Sequence, residues 1–492
     1  VTARAAEVRE LRSQIRVWRR GRVDTSLMEA VSDAYVVIFS ALVLGAMAVS
    51  VIVNLRVVTS GACSSVSCLD ARDALGWLFG LAAVTVVLAG ARLLGPMLVS
   101  PAVGTWLLTA PLDRTVLVRG RLVVSSVVAA LVGAVLAAVG ATLSDYPPAV
   151  VGWLTGLVAV VCVLLVGVAT VSQARGQLPV RVLVWLLGVA LWVGLVLVAR
   201  DTVPAGLHVP DVALLRPAIG VAGVLALLLL VLAYRSLRLI RRERLVSGGA
   251  LLPGLSGALA SLDLTLFYDI LVSRHWRSKS TVRVVRGRGS GARALVWREV
   301  VRLRRNPQVL VGLAGALVLP YLATALGLGH AMVVVVTLTG FGAGVGLFTS
   351  LRVLSRTASL LRCFPLPAPA VKAACLGVPG ALLVIWSLGA APAVHDAIGG
   401  PWGPSVIVAL ACGVTVATAA VRWMTSHPPD YQLPLITSPM GAVPTSLYFS
   451  VLRGFDVLLL GTVPLLVAPT PTGAAVSVGL MSLVLSFLVG RP

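Results

Sequence analysis

The chain is written as long apolar stretches separated by short polar breaks. Several stretches of about 20 residues carry no charge, the length an α-helix needs to cross a bilayer core about 30 Å thick. Twelve spans are predicted, near 34–55, 76–97, 122–144, 149–171, 182–199 and 217–235, then 308–327, 331–350, 373–391, 404–422, 455–469 and 473–490. A polar, arginine-rich stretch separates the first six from the second six. The predicted fold is therefore all-α, a polytopic membrane protein of about twelve transmembrane helices in two parallel six-helix repeats. Its divisions are an N-terminal segment over 1–33, a first half over 34–235, a basic linker over 236–307 and a second half over 308–492.

The polar breaks repeat as well. Before the first span, Val8, Leu11, Ile15 and Trp18 recur at steps of three and four, while Arg9, Arg12, Arg16 and Arg19 take other faces. Before the seventh, Val296, Val300 and Leu303 repeat the spacing beside Arg298, Arg302 and Arg305, and Pro307 ends the helix. Basic amphipathic helices of this kind lie in the membrane interface, apolar face towards lipid. After the second span of each half comes a long loop, Ser100–Arg121 in one and Ser355–Lys372 in the other. With one residue inserted, Leu107-Leu108 aligns with Leu360-Leu361 and Pro111-Leu112 with Pro365-Leu366. Leu251–Val272 breaks the pattern: it is half apolar but carries Asp263 and Asp269, and it is expected as a helix or hairpin outside the membrane.

Composition sharpens the class and charge gives the orientation. Hydrophobic residues make up 58% and charged residues 12%, about half the roughly 25% of a soluble domain. The net charge is +22, and between Arg235 and Pro307 alone 16 basic residues face 4 acidic ones. Loops that keep Lys and Arg lie on the cytoplasmic side. With both termini and the linker cytoplasmic, 36 of the 40 basic residues fall inside, leaving Arg56, Arg72, Arg200 and Arg216 outside. The expected location is the cell membrane, multi-pass. The orientation rule and contact with anionic membrane lipids account for the basic excess without a nucleic-acid partner.

Little catalytic chemistry is legible. A phosphate-binding loop needs Gly-Lys-Ser/Thr, and the two lysines, Lys279 and Lys372, follow Ser278 and Val371. No catalytic constellation, cofactor motif or metal-ligand spacing stands out, so the chain is not expected to be an enzyme. Arg92 is the deepest charge of any predicted span and is read as snorkelling to the inner surface. Cys63 and Cys68, in an outer loop, are expected to form a disulfide. Cys162, Cys375 and Cys412 read as small core residues, and His395-Asp396 reads as a loop-structuring pair in preference to an acid/base pair. Gly340, Gly342, Gly344 and Gly346 mark close helix packing.

With its paired pre-span helices, the segment Trp297-Arg-Glu-Val-Val-Arg-Leu-Arg-Arg-Asn-Pro307 and the Leu-Leu…Pro-Leu loops, the chain resembles an ABC-2-type exporter permease with two six-helix halves fused. The resemblance implies interface helices at Leu11–Arg20 and Val296–Arg305, and coupling segments at Trp106–Arg119 and Leu360–Lys372. It implies docking on a cytoplasmic ABC ATPase, a dimer, through Trp106, Leu107, Leu108 and Arg114 in one loop and Leu360, Leu361, Phe364 and Lys372 in the other. A re-entrant outer element would fall in Arg200–Arg216, with no room for its counterpart at Thr470–Gly473. The cargo expected is hydrophobic or amphipathic. Two alternatives carry over: a secondary carrier of the major-facilitator type, and a membrane-embedded enzyme acting on lipid-linked substrates. The first would want a compact Asp-Arg-x-Gly-Arg loop, which Asp113-Arg114 and Arg119-Gly120-Arg121 stretch. The second would want clustered acids, and Asp70, Asp73, Asp145, Asp201, Asp211 and Asp396 are scattered.

Overall fold

A computed structural model describes residues 27–490, apart from 64, 107, 110–113, 177, 203–208, 210, 261–263, 278–283, 427–434, 439–440 and 445–452, together with residues 10, 13, 14 and 17. The chain is a polytopic, α-helical membrane protein. Among the described residues ten helical stretches are long and apolar enough to cross a bilayer, five in each of two compact units, Val1–Ser256 and Gly257–Pro492. Of the predicted first interface helix, Val8, Leu11, Ile15 and Trp18 lie outside the described residues, as do residues 203–208 and 210 of the predicted outer element in Arg200–Arg216.

The first unit runs α1 (Leu27–Ala62), α2 (Val66–Leu94), α3 (Pro101–Trp106), α4 (Arg114–Leu143), α5 (Pro148–Arg175), α6 (Leu178–Ala199), α7 (Val212–Ser236) and α8 (Arg242–Gly249). Local chemistry sets several ends. Ser65 caps α2 by accepting from the Cys68 amide, Asp211 caps α7 by accepting from Ala213, and Pro148 opens α5. Gly95, at φ 87°, stops α2. Small residues bring α2, α4 and α5 together: a Cβ at Gly140 would lie 2.3 Å from Phe79, and one at Gly133 2.6 Å from Cys162. By contrast α6 is apolar on every face beyond Arg181 and little of it is buried, which suits lipid and not water.

At the end of this unit away from the linker, the sulfurs of Cys63 and Cys68 are bonded, with their Cα atoms 5.4 Å apart. Arg56 and Arg72 both pair with Asp145, and Arg216 stacks over Trp153. Three of the four arginines assigned to the outside are thus engaged by the unit itself, which blunts their weight as topological signals. On the orientation predicted from charge, single cysteines introduced at 57–74 or 393–402 should label from outside intact cells and those at 284–292 should not. Labelling near 285 from outside would reverse the orientation.

The second unit comprises α9 (Leu252–Ala260, which straddles the boundary), α10 (Leu264–Arg277), α11 (Ala292–Arg305), α12 (Pro307–Ala316) and α13 (Val318–Ala325). It continues with α14 (Met332–Gly344), α15 (Thr349–Arg356), α16 (Ala358–Arg362), α17 (Ala368–Gly389), α18 (Ala391–Ile398) and α19 (Trp402–Met424). It ends with α20 (Phe455–Val467) and α21 (Pro471–Gly490). A short antiparallel hairpin, β1 (Leu435–Ser438) and β2 (Gly441–Pro444), precedes α20. The core centres on α19, whose Ala409, Cys412, Val416, Ala420 and Met424 are all buried.

The predicted glycine ladder does pack: a Cβ at Gly340 would meet Trp386 at 2.8 Å and one at Gly344 would meet Leu383 at 2.4 Å, although Gly342 faces open space. Of the twelve predicted spans, ten correspond to these long stretches. The first lies within α1, of whose side chains only part is described. The eleventh is α20, whose 13 residues reach about 20 Å, short of the hydrocarbon thickness.

Leu251–Val272 is not a span. Its helices α9 and α10 are short, and α10 is tied into the second unit by Asp269. The basic linker is accordingly no separate domain. The unit boundary falls inside it, with α8 belonging to the first unit and α10 and α11 to the second.

Candidate functional site

In both units the linker closes on the same place, the end of the second predicted span where the long loop begins. In the first unit α8 does this through two glycines. A Cβ at Gly248 would lie 1.7 Å from the Leu94 carbonyl oxygen, and one at Gly249 1.8 Å from that of Val99. Only glycine permits such backbone contact. The Val99 amide donates to the Leu245 carbonyl at 3.2 Å. Gln173, buried near the end of α5, completes the joint. Its Oε1 accepts from the Met97 amide at 3.2 Å, and its Nε2 donates to the Arg244 carbonyl at 3.1 Å, while the Arg244 guanidinium donates to the Gln173 carbonyl at 2.8 Å. Each partner thereby satisfies polar groups of the other that the joint removes from water. On this base sits α3, its Gly104 against Val246.

The second unit uses charge instead. The stretch Gly329–Arg356 is helical throughout but tightens to a 3₁₀ turn at Val345–Phe348, between α14 and α15. Such a turn alters the carbonyl pairing of the regular helix, and the Leu347 carbonyl accepts from Arg302 of α11. Arg302 also donates to Thr349 Oγ1 and, through Nε, to Glu299 Oε2 at 2.8 Å. Glu299 is 0% exposed, and its carboxylate further accepts from Ser350 at 3.0 Å and from Arg298 at 3.0 Å. One helical turn on, Arg352 makes a two-pronged pair with Asp269 of α10, and Arg356 stands 3.8 Å from the same carboxylate. Beside them burial pushes the Tyr268 phenol up to about 12, against the pull of Arg352 and Arg302, so it stays a neutral hydroxyl. A cavity of about 550 Å³ opens among Tyr268, Asp269, Arg302, Ser350 and Arg356.

The predicted docking residues that are described divide into three groups. Trp106 ends α3 with 79% of its surface exposed, and Leu360 on α16 is exposed. Leu361 and Phe364 are half-buried against their own unit, among Leu295, Leu354 and Cys375. Two assignments need correction. Leu108 is 2% exposed and packs with Met97, Val118 and Leu245, because the chain after α3 turns its second leucine inward. Lys372 is buried in the first turns of α17 and is not presented on the surface of the loop. Leu107 and the Arg114 side chain lie outside the described residues.

Of the α11 residues predicted to face lipid, Val296 and Val300 are more than one-third exposed, but Leu303 is buried with Leu295 and Glu299, since the face carrying Glu299 must meet protein donors. His395 stacks on Trp402 with ring centroids 3.9 Å apart, and Ser405 lies 3.4 Å from its Nδ1, which structures the α18–α19 turn. Asp456 accepts from Arg422 of α19 at 3.4 Å. Cys162, Cys375 and Cys412 are buried. Among the described residues no three His, Cys, Asp or Glu side chains gather as a metal site.

Sequence reading passed over Gln173, Gly248, Gly249, Glu299 and Arg352, and took Asp269 only as a reason to keep its segment out of the membrane. For Glu299 a signal existed: an acid amid five arginines of one helix, three residues before Arg302. The others carry none, since their partners lie far along the chain. No curated protein matches the chain. Residues 68–434 match the family described as "Family of unknown function (DUF6297)", and over that majority of its length the chain belongs to this family.

Proposed function

We propose that the chain is the membrane-spanning permease of an ABC-2-type exporter, moving a hydrophobic or amphipathic cargo with energy from a separate cytoplasmic ATPase. The observation that carries this is Trp106. A large apolar side chain lies almost fully in the open at the tip of α3, while the base beneath it is fixed by backbone-to-backbone contact with α8. Exposed aromatic anchors on a rigid platform are the residues that dominate protein interfaces. The second unit offers Leu360 in the corresponding loop, on a platform held by Glu299, Arg302 and Arg352. Two such elements, one per half, suit a partner that presents two equivalent grooves. In this reading the linker transmits force: a push on either loop reaches the spans through α8 or through α10 and α11.

The test is a photo-cross-linking amino acid at position 106, activated in native membranes. The expected adduct is a protein with an ATP-binding P-loop, and Trp106→Ala should abolish transport-linked ATP hydrolysis while membrane insertion stays normal. Transport by the purified chain driven by an ion gradient alone would replace this reading with that of a secondary carrier.

A further inference from the structure

Between α2 and α4 of the first unit runs a groove with a volume of about 450 Å³, inside the roughly 300–1,000 Å³ span of small-molecule sites. On α4 it is lined by Arg121, Val124, Val128 and Val132, which follow one another by three and four residues and so stand on one face. From Arg121 to Val132 the groove extends about 16 Å at 1.5 Å per residue. On α2 the opposing wall includes Gly90, where an added Cβ would meet nothing within 4 Å. The missing side chain is part of what makes the groove.

Three features identify the occupant. The groove follows two membrane-spanning helices, so the medium around it is acyl chain. Its walls are aliphatic and its mouth faces outward, with Val86, Val124 and Val128 each more than half exposed. Among the described lining residues the one charged side chain, Arg121, sits at one end, the end nearest the linker, where headgroups would lie. A guanidinium at the mouth of an apolar slot matches a phosphate joined to a hydrocarbon tail.

We infer that this groove binds one acyl chain of an anionic phospholipid, with the Arg121 guanidinium on the headgroup phosphate. The site depends only on membrane embedding and stands whatever the transport mechanism. Held there, the lipid would fill the space between α2 and α4 beside Gly95, the hinge from which the first long loop departs.

Native mass spectrometry of the full chain, titrated with phosphatidylglycerol or with phosphatidylcholine of the same tails, tests this. The native protein should bind one phosphatidylglycerol saturably and in preference. Arg121→Gln should lower that preference about tenfold, the worth of one charge-assisted hydrogen bond, and leave tail binding in place. Gly90→Leu should abolish the saturable site for both lipids, and Val128→Trp, on the exposed wall, should do the same should Gly90→Leu fold poorly. Binding that rises without saturation in the native protein, or equal binding by all four proteins, would overturn the inference. So would a cysteine at 128 that cross-links efficiently to the second unit, since protein would then cover the groove.

Discussion

Replacing Glu299 with alanine should destabilise the second unit by about 3–5 kcal/mol, the cost of stripping one partner from a buried ion pair. The carboxylate is wholly enclosed and accepts from Arg302, Arg298 and Ser350. Without it Arg302, with 16% of its side chain exposed, keeps its bonds to Thr349 and the Leu347 carbonyl but loses its counter-charge. The expected readout is a fall of roughly ten degrees in the unfolding midpoint followed by tryptophan fluorescence in detergent. Glu299→Gln should fall less, because the amide still accepts hydrogen bonds. Glu299→Leu combined with Arg302→Met should recover much of the loss, since the one charge then left without its partner, Arg298, is 43% exposed and can be hydrated. An unchanged midpoint for Glu299→Ala would mean that the network contributes nothing. A double variant no better than Glu299→Ala would mean that Arg302 is needed for its bonds to the 3₁₀ turn and not as a counter-ion.

The membrane fold was legible because it is written in composition: apolar runs of helical span length need only be counted. The site was less legible, for reasons that differ residue by residue. Leu107-Leu108 and Leu360-Leu361 read as matched exposed anchors, yet Leu108 is buried and Leu361 half-buried, because adjacent residues point in different directions and periodicity across a turn cannot say which. On α11 the spacing of Val296, Val300 and Leu303 reads as one lipid-facing stripe, yet Leu303 is buried beside Glu299, a residue that scores against burial. Arg302 and Ser350, 3 and 51 residues away, reverse that judgement by supplying donors, and only the first of them is near enough in sequence to be read. Gly248-Gly249 looks like a linker, and its meaning comes only from the carbonyls of Leu94 and Val99 pressed against it. The linker's charge reads as a region outside the membrane. Its division into two arms, each bracing one loop, is a fact of tertiary packing.

Those glycines give the second large effect. Gly248→Val should separate α8 from the end of α2, because the new Cβ would stand 1.7 Å from the Leu94 carbonyl oxygen and 2.6 Å from the Leu98 side chain. A side chain could rotate aside; a carbonyl in the last turn of a membrane helix cannot. The relief available is for α8 to lift by more than an ångström, which breaks the Val99-to-Leu245 bond and pulls Arg244 from Gln173. Gln173, buried with its amide aimed at Met97 and Arg244, would then lose a partner in a site with little water. Overpacking of this kind costs about 1–3 kcal/mol, and the lost hydrogen bonds add to it. Ser247→Ala, exposed on the same helix, should be neutral. Hydrogen exchange makes the distinction sharp: Gly248→Val should raise exchange at 95–106 and 242–250 together while leaving α19 as protected as before. If 242–250 loosens and 95–106 does not, α8 merely leans on the loop. The bracing on which the role of Trp106 rests would then have to come from elsewhere in the first unit.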